Sequence, residues 1–216
     1  MIDIVVLSDL HLGAYCYHKP LQQALFRDIP PSRLTILNGD ICHEKRQFSA
    51  DDLAVMSLLK LRGSLRYIMG NHDSREVAHV FCRLVGAEIF PWCHSVESGG
   101  KKFCFIHGHQ WDKWVENNSL WGRVLGLFYD WSWKIHPALG LVVKRTSKKM
   151  IQCNREVYDG AMTYKDGEGF HAIVCGHTHI PRCEDPYYNA GSWTDPDGLS
   201  WLEIDDGKAT LKRYSP

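Results

Sequence analysis

The chain has 216 residues, of which 44% are hydrophobic, and this is enough to bury the core of one domain over residues 1–216. The charges of its 25 basic and 25 acidic side chains cancel, so the protein has no net positive charge that would attract extended nucleic acid. The N-terminal residues do not resemble a signal peptide, and no apolar run is long enough to cross a membrane, which favours a cytoplasmic protein. Eight scattered cysteines without a Cys-x-x-Cys pair indicate reduced thiols.

Five short apolar runs are predicted strands, and each ends in residues with metal-ligand side chains. The runs are Ile2–Leu7, Leu34–Leu37, Leu65–Met69, Lys102–Ile106 and Ala172–Cys175. They stop, in that order, at Ser8-Asp9-Leu10-His11, Asn38-Gly39-Asp40, Gly70-Asn71-His72-Asp73, His107-Gly108-His109 and Gly176-His177-Thr178-His179. The repetition of this pattern is the main signal in the sequence.

Helical patterns lie between the predicted strands, at Leu21–Phe26, Asp51–Leu61 and Ser74–Leu84, with Ser74 as an expected N-cap. Alternation of strand and helix predicts a layered α/β core. Glycine-containing turns predict two antiparallel ribbons added to that core, over Trp92–Phe105 and Leu199–Lys212.

Residues 111–165 are predicted to be a helical insertion that contains five of the eight tryptophans. Three interpretations stay open. The insertion is a lid in which Trp121 and Trp131 receive an apolar or nucleobase part of the substrate while Lys144 and Arg145 meet anionic groups, or it is a helical hairpin packed on the sheets. In the third interpretation, residues 111–149 make a peripheral contact with an anionic bilayer such as the inner membrane.

The side chains at the strand ends form a set suited to two cations. Two hard or borderline cations close together need a bridging carboxylate, imidazoles and neutral oxygen donors that arrive from several directions. Loops at strand ends supply such convergence, and the available side chains are Asp9, His11, Asp40, Asn71, His107, His177 and His179. The five motifs together therefore predict a dinuclear metal site.

This series of motifs resembles the calcineurin-like metallophosphoesterase superfamily over residues 1 to about 195. The resemblance implies an α/β fold, a four-layer α/β/β/α sandwich of two mixed sheets. It also implies that one ion is held by Asp9, His11, Asp40 and His179, and the other by Asp40, Asn71, His107 and His177, so that Asp40 bridges them. Mn²⁺ is the expected ion for oxygen and nitrogen ligands, with Mg²⁺, Zn²⁺ or Fe²⁺ able to substitute. His43 stands where purple acid phosphatases have tyrosine, which argues against an iron-tyrosinate site.

The expected reaction is attack of a metal-activated hydroxide on a phosphate mono- or diester or a pyrophosphate. His72, beside the ligand Asn71, is the candidate proton donor to the leaving group, and Asp73 is its expected carboxylate partner. His109 is expected to contact the phosphate, to orient a ligand or to be structural. Because the ions activate water, no nucleophilic side chain is required.

The substrate is a phosphorylated small molecule or lipid, and its identity stays open. Chain length, the first motif and the insertion resemble UDP-2,3-diacylglucosamine hydrolases of lipid A synthesis, although those enzymes usually carry Arg at position 72 and Asp at position 109. The segment Tyr188-Asn189-Ala190-Gly191-Ser192 instead resembles a turn of small bacterial phosphodiesterases. A protein-binding scaffold without catalysis on the same fold is an alternative of another class, and the complete ligand set argues against it.

Overall fold

The structure, a computed structural model, describes residues 1–13, 16, 18–43, 48–113, 148–194 and 199–215. The strands are β1 (Ile2–Leu7), β2 (Ser32–Asn38), β3 (Leu65–Ile68), β4 (Ala87–Phe90), β5 (Cys93–Ser98), β6 (Lys101–Ile106), β7 (Ala172–Cys175), β8 (Arg182–Glu184), β9 (Tyr187–Asn189), β10 (Ser200–Asp205) and β11 (Lys208–Arg213). The helices are α1 (His18–Gln23), α2 (Ala50–Lys60), α3 (Arg75–Val85) and α4 (Lys148–Gly167). A π-helical turn over Ala24–Asp28 and a 3₁₀ turn over His109–Trp111 complete the described elements.

The strands form two mixed sheets. The first sheet has the order β11-β10-β1-β2-β3-β4, in which β1 to β4 are parallel and the hairpin β10-β11 is antiparallel. The second sheet has the order β5-β6-β7-β9-β8, with parallel pairing of β6, β7 and β9 and antiparallel pairing at both edges.

The apolar side chains separate into three clusters that define four layers. One cluster packs α1 to α3 against the first sheet and contains Leu21, Val55 and Phe81. The second fills the space between the two sheets, where Val6 meets residues such as Phe105. The third packs α4 on the outer face of the second sheet. The predicted four-layer α/β/β/α sandwich of two mixed sheets is therefore confirmed.

Local sequence explains where the helices on the first sheet begin and end. The Ser49 hydroxyl and the Asp52 carboxylate form a reciprocal capping box at the start of α2. Ser74 accepts a hydrogen bond from the N–H of Val77 at 3.3 Å, as expected for the N-cap of α3, and Gly86 ends that helix in the left-handed conformation.

Some elements differ from the sequence-based expectation. The predicted helix Leu21–Phe26 begins earlier, at His18, and changes to a π-helical turn at Ala24. Strands β4, β8 and β9 have no counterpart in the sequence-based assignment. In the predicted insertion, Lys148–Gly167 is helical, whereas residues 114–147 lie outside the described residues.

No helix within the described part of the chain combines the length and apolar character needed to cross a membrane.

Candidate metal centre

The seven predicted ligands lie on loops that follow five strands. In the first sheet, β1, β2 and β3 are parallel, and in the second sheet β6 and β7 are parallel, so the carboxyl ends within each sheet are neighbours. Asn38, buried at the end of β2, connects the two sheets because its side-chain amide donates to the carbonyls of Ile106 and Val174 at 3.3 and 3.2 Å. The ligand loops of both sheets therefore meet at a common edge.

Five of the ligand residues have a left-handed backbone conformation. The φ angles are 53° at Asp9, 50° at His11, 52° at Asp40, 64° at His177 and 56° at His179. Residues other than glycine rarely adopt this region, and where they do they concentrate at functional sites. Hydrogen bonds between loops hold the conformation, since the N–H groups of Asp9 and His11 donate to the carbonyls of Gly39 and Asp40 at 3.0 Å.

The first group of potential ligands contains Asp9, His11 and His179, whose ligand atoms all lie within 4.8 Å of one another. His179 Nδ1 is hydrogen bonded with the Thr194 hydroxyl at 3.2 Å, which leaves Nε2 3.2 Å from Asp9 Oδ1. The other oxygen of Asp9 accepts from the backbone N–H of His177 at 3.1 Å. In Asp9 and His179, one side-chain atom is thus held by the protein while another faces the group.

The second group contains Asp40, His107 and His177, again with ligand atoms within 4.8 Å. His107 Nδ1 donates to the carbonyl of Asn38 at 3.0 Å, and its Nε2 lies 3.1 Å from Asp40 Oδ2. Burial alone would lower the pKa of His107, but the Asp40 carboxylate outweighs it and raises the pKa to about 10. Burial likewise disfavours ionisation of Asp40, yet the imidazole of His107 keeps the pKa of that carboxyl well below its usual range.

The Asp40 carboxylate lies between the two groups. Its Oδ2 is 3.1 Å from His107 Nε2 and 3.9 Å from Nε2 of His11, which belongs to the first group. Its Oδ1 accepts from the backbone N–H of His72 at 2.8 Å. Gly70 has no room for a side chain, because a Cβ there would overlap the Asp40 carboxylate. The Asp40 carboxylate therefore lies where a ligand shared by two ions has to be.

Four buried polar atoms in these loops have either no hydrogen-bond partner or only another potential ligand beside them. His11 Nε2 and Asn71 Oδ1 have no partner. Asp9 Oδ1 and His107 Nε2 face only Nε2 of His179 and Oδ2 of Asp40. A buried polar atom without a partner costs free energy, and such atoms are rare in folded proteins. Carboxylate, imidazole and amide atoms are the ligands that Mn²⁺, Mg²⁺ or Zn²⁺ accept. The residues present therefore fit two divalent cations.

His72 lies at the exposed side of the first group. Its ring stacks on that of His43, with centroids 5.3 Å apart and an interplanar angle of 19°. The same ring meets His11 edge-on at 5.2 Å. An exposed imidazole next to a ligand is accessible to a substrate bound at the ions, so the predicted role of His72 as proton donor is compatible with its position.

Asp73 has a different role from the expected one. Its Oδ2 accepts from the backbone N–H groups of Asp40 and Gly70 at 2.8 and 2.7 Å, and its Oδ1 accepts from the N–H of Cys42 and the hydroxyl of Tyr67 at 2.9 and 2.6 Å. Burial, together with the negative charge of Asp40, raises the pKa of Asp73 to about 6. The expectation that Asp73 orients the His72 imidazole is wrong, because these four donors fill the carboxylate and join the loops after β2 and β3.

Five predicted substrate contacts remain, of which the structure describes only His109. His109 lies against the second group, with its ring centroid 5.4 Å from that of His107 and 6.3 Å from that of His177. Burial, with the neighbouring imidazoles, lowers the pKa of His109 to about 4. Its contact with substrate stays a prediction. The four predicted contacts that lie outside the described residues are Trp121, Trp131, Lys144 and Arg145.

Sequence reasoning missed two side chains that hold the histidine ligands. Asp112 Oδ2 lies 2.9 Å from Nε2 of His177, and Thr194 is hydrogen bonded with His179. Asp112 follows His107 by five residues in the same loop, which is a weak signal. Thr194 follows the segment Tyr188-Asn189-Ala190-Gly191-Ser192 by two residues, but its contact with His179 depends on the pairing of β9 with β7, which no local pattern shows.

Comparisons with known proteins agree with this architecture. A family model described as calcineurin-like phosphoesterase matches residues 2–181. A structure of a Vps29 single mutant from Entamoeba histolytica is similar over 97% of this chain and 96% of its own, with 13% identity and a TM-score of 0.51. YfcE, a phosphoesterase from E. coli, is similar over 98% of this chain and 99% of its own, with 16% identity and a TM-score of 0.50.

At these identities the two structures share the fold alone with this chain. No curated protein sequence matches it. The family match covers most of the chain and includes all the ligand loops described above. The chain therefore belongs to the calcineurin-like phosphoesterase family.

Proposed function

We propose that this protein is a dinuclear metal-dependent phosphoesterase that hydrolyses a phosphate mono- or diester or a pyrophosphate. The observation that carries the proposal is the convergence of buried ligand atoms around the Asp40 carboxylate, where each atom faces another potential ligand or has no partner. A fold that only bound another protein would have no need to bury these polar atoms together. Membership of a family of metallophosphoesterases supports the same reaction class.

Two sets of side chains would hold the ions. Asp9, His11 and His179 would hold one, and Asn71, His107 and His177 the other, with Asp40 shared between them. We propose Mn²⁺ for both positions, since the donors are oxygen and imidazole nitrogen without a thiolate. When bound, such ions lower the pKa of water and neutralise charge on a phosphoryl group.

The chain's own residues determine the rest of the reaction. The Ser8 hydroxyl is not available as a nucleophile, because it is buried and donates to the carbonyl of Asn38 at 2.8 Å. Burial raises the pKa of the nearby Cys42 thiol well above its usual range, so that thiol stays protonated. Water is therefore the proposed nucleophile, and His72 is the proposed proton donor to the leaving oxygen.

The substrate class and the surroundings of the protein are proposals of the same kind. A phosphorylated small molecule or a lipid with a UDP-2,3-diacylglucosamine-type pyrophosphate suits a site that has the exposed His72 imidazole at its edge. A lipid substrate would place the protein at the inner membrane, whereas a small-molecule ester would fit a cytoplasmic enzyme. A protein-binding scaffold is the competing function, because the fold itself is compatible with both.

A substrate panel with Mn²⁺ tests the proposal. It contains p-nitrophenyl phosphate, bis-p-nitrophenyl phosphate, a phosphopeptide, cyclic nucleotides and a UDP-lipid, each assayed with wild type, Asp40→Asn and the control Asp159→Asn. Asp159 is an exposed carboxylate on α4 whose ion pair with Arg155 is also exposed, so its variant should match wild type. We expect hydrolysis that Asp40→Asn abolishes and chelation stops. Two bound ions without hydrolysis of any of these substrates would favour the scaffold.

A further inference from the structure

A thiol, a carboxylate and an imidazole form a connected chain beside the second ligand group. His177 Nε2 and Asp112 Oδ2 are 2.9 Å apart, and the Cys153 thiol donates to the same oxygen at 3.3 Å. The side chains of both Asp112 and His177 are only 10% exposed. The connection therefore joins α4, which carries Cys153, to a ligand on the loop after β7.

The position of Asp112 is fixed by the turn that contains it. Its backbone N–H donates to the carbonyl of His109 at 3.1 Å and closes the 3₁₀ turn. Trp111, the preceding residue, packs against α4 where Gly160 leaves room, since a Cβ at Gly160 would overlap the indole. The turn is thus docked on the helix that also provides the Cys153 thiol, and the Asp112 carboxylate has little freedom to leave His177.

We infer that Asp112 is a positioning residue that fixes the tautomer and the ring orientation of His177. A carboxylate beside Nε2 keeps the proton on that nitrogen, and this leaves Nδ1 as the atom for a cation. A partly buried, charge-assisted hydrogen bond is stronger than an exposed one. The inference rests on the proposed dinuclear function, and it adds a residue outside the predicted ligand set.

The expected effect is on one of the two ions. Loss of a carboxylate that orients a histidine ligand typically lowers metal affinity about 10- to 100-fold. Asp112 contacts His177, whereas the first group has hydrogen bonds with Thr194, with the Ser8 hydroxyl and with the backbone N–H of His177. Asp112→Asn should therefore weaken one site by this factor and change the other less than about twofold.

Calorimetric titration of metal-free protein with Mn²⁺ tests the inference without an activity assay. The variants are Asp112→Asn and Asp112→Ala, with Asp159→Asn as the exposed control on α4. The melting temperature of each metal-free protein verifies folding. Selective weakening of one site in both Asp112 variants, with the control unchanged, supports the positioning role. Equal weakening of both sites, or no change, overturns it.

Two further results distinguish the positioning role of Asp112 from a third metal site and from failure of the dinuclear proposal. Asp112, Cys153 and His177 could themselves hold an ion, and a third Mn²⁺ in wild type that Asp112→Asn removes would overturn the positioning role. If wild type binds a single ion, the dinuclear proposal fails. The Asp112 inference then stands only if Asp112→Asn lowers the affinity for that ion. If neither Asp112 variant folds, Cys153→Ala decides: weakening confined to one site supports the inference, and unchanged binding overturns it.

Discussion

Replacement of Asp73 by Asn tests whether this residue joins two ligand loops or serves the neighbouring His72. The change keeps the size of the side chain and removes one acceptor oxygen. Four donors approach the carboxylate, two at each oxygen. Three are backbone N–H groups, and the fourth is the Tyr67 hydroxyl. An amide avoids two unpaired donors only when its NH₂ group faces Tyr67, whose hydroxyl can turn and accept, and the N–H of Cys42 is then the one donor without an acceptor.

The magnitude follows from the number of donors left without an acceptor. A buried donor without a partner costs about 1–3 kcal/mol, so one such donor lowers the free energy of unfolding by about 1–3 kcal/mol. This is a measurable part of the roughly 5–15 kcal/mol that is typical of a whole domain. Tyr67→Phe removes a single hydroxyl donor and should cost only about 0.5–1.5 kcal/mol.

Urea unfolding of the metal-free proteins, followed by circular dichroism, measures these differences without a contribution from bound ions. Asp159→Asn changes an exposed carboxylate on α4 that pairs only with the exposed Arg155, and it should stay within about 0.5 kcal/mol of wild type. The reasoning is refuted if Asp73→Asn costs less than about 1 kcal/mol while only the turnover of alkyl esters falls. That pattern is the one expected of a carboxylate that orients a proton donor.

Three further predictions concern the ions, the proton donor and acid stability. Asp40→Ala should lose both ions by elemental analysis, and chelation of wild type should abolish an activity that Mn²⁺ restores; retention of two ions would contradict a bridging role. His72→Asn should keep both ions and hydrolyse p-nitrophenyl phosphate nearly as well as wild type, yet lose roughly 10²-fold on an alkyl phosphate; equal losses would exclude proton donation. The pKa of Asp52 is lowered because hydrogen bonds from His18 and Ser49 outweigh the effect of burial. The stabilisation that ionised Asp52 provides is therefore present above the unfolded pKa of about 3.9, and it is lost as the pH falls through the lower pKa of the folded state. The difference in unfolding free energy between wild type and Asp52→Asn should shrink below about pH 4, and a difference that is constant down to pH 2 would contradict this assignment.

The strands that carry the ligands could be predicted because their signal is local. Within β1, residues 4–7 are apolar, mostly β-branched and buried, as a strand covered on both faces requires, and the polar residues after Leu7 mark its end. Strands β8 and β9 have three residues each and contain no comparable run. They form because β9 pairs with β7, which is distant in the chain. A sequence pattern over a few residues cannot reveal that β7 and β9 pair, because the two strands are separated in the chain.

The same distinction separates the ligands from the groups that orient them. A ligand follows its strand directly, so a strand end together with a residue type predicted Asp40 and His107. The partner of each ligand depends on how loops from different strands pack. Asp73 is next to His72 in the chain, and that adjacency predicted a pair, whereas in the fold the Asp73 carboxylate turns toward the backbone of the loop after β2.

Asn38 shows why the site requires both sheets to be in place at once. Its side-chain amide donates to the ends of β6 and β7, and its own carbonyl accepts from His107 and Ser8. One buried residue of the first sheet thereby sets the position of the second sheet and the tautomer of a ligand on it. In sequence, Asn38 is only the residue before the Gly39-Asp40 motif, and its function arises from contacts with residues 68 and 136 positions away. Asn38 therefore ties the geometry of the ligand loops to the packing of the two sheets.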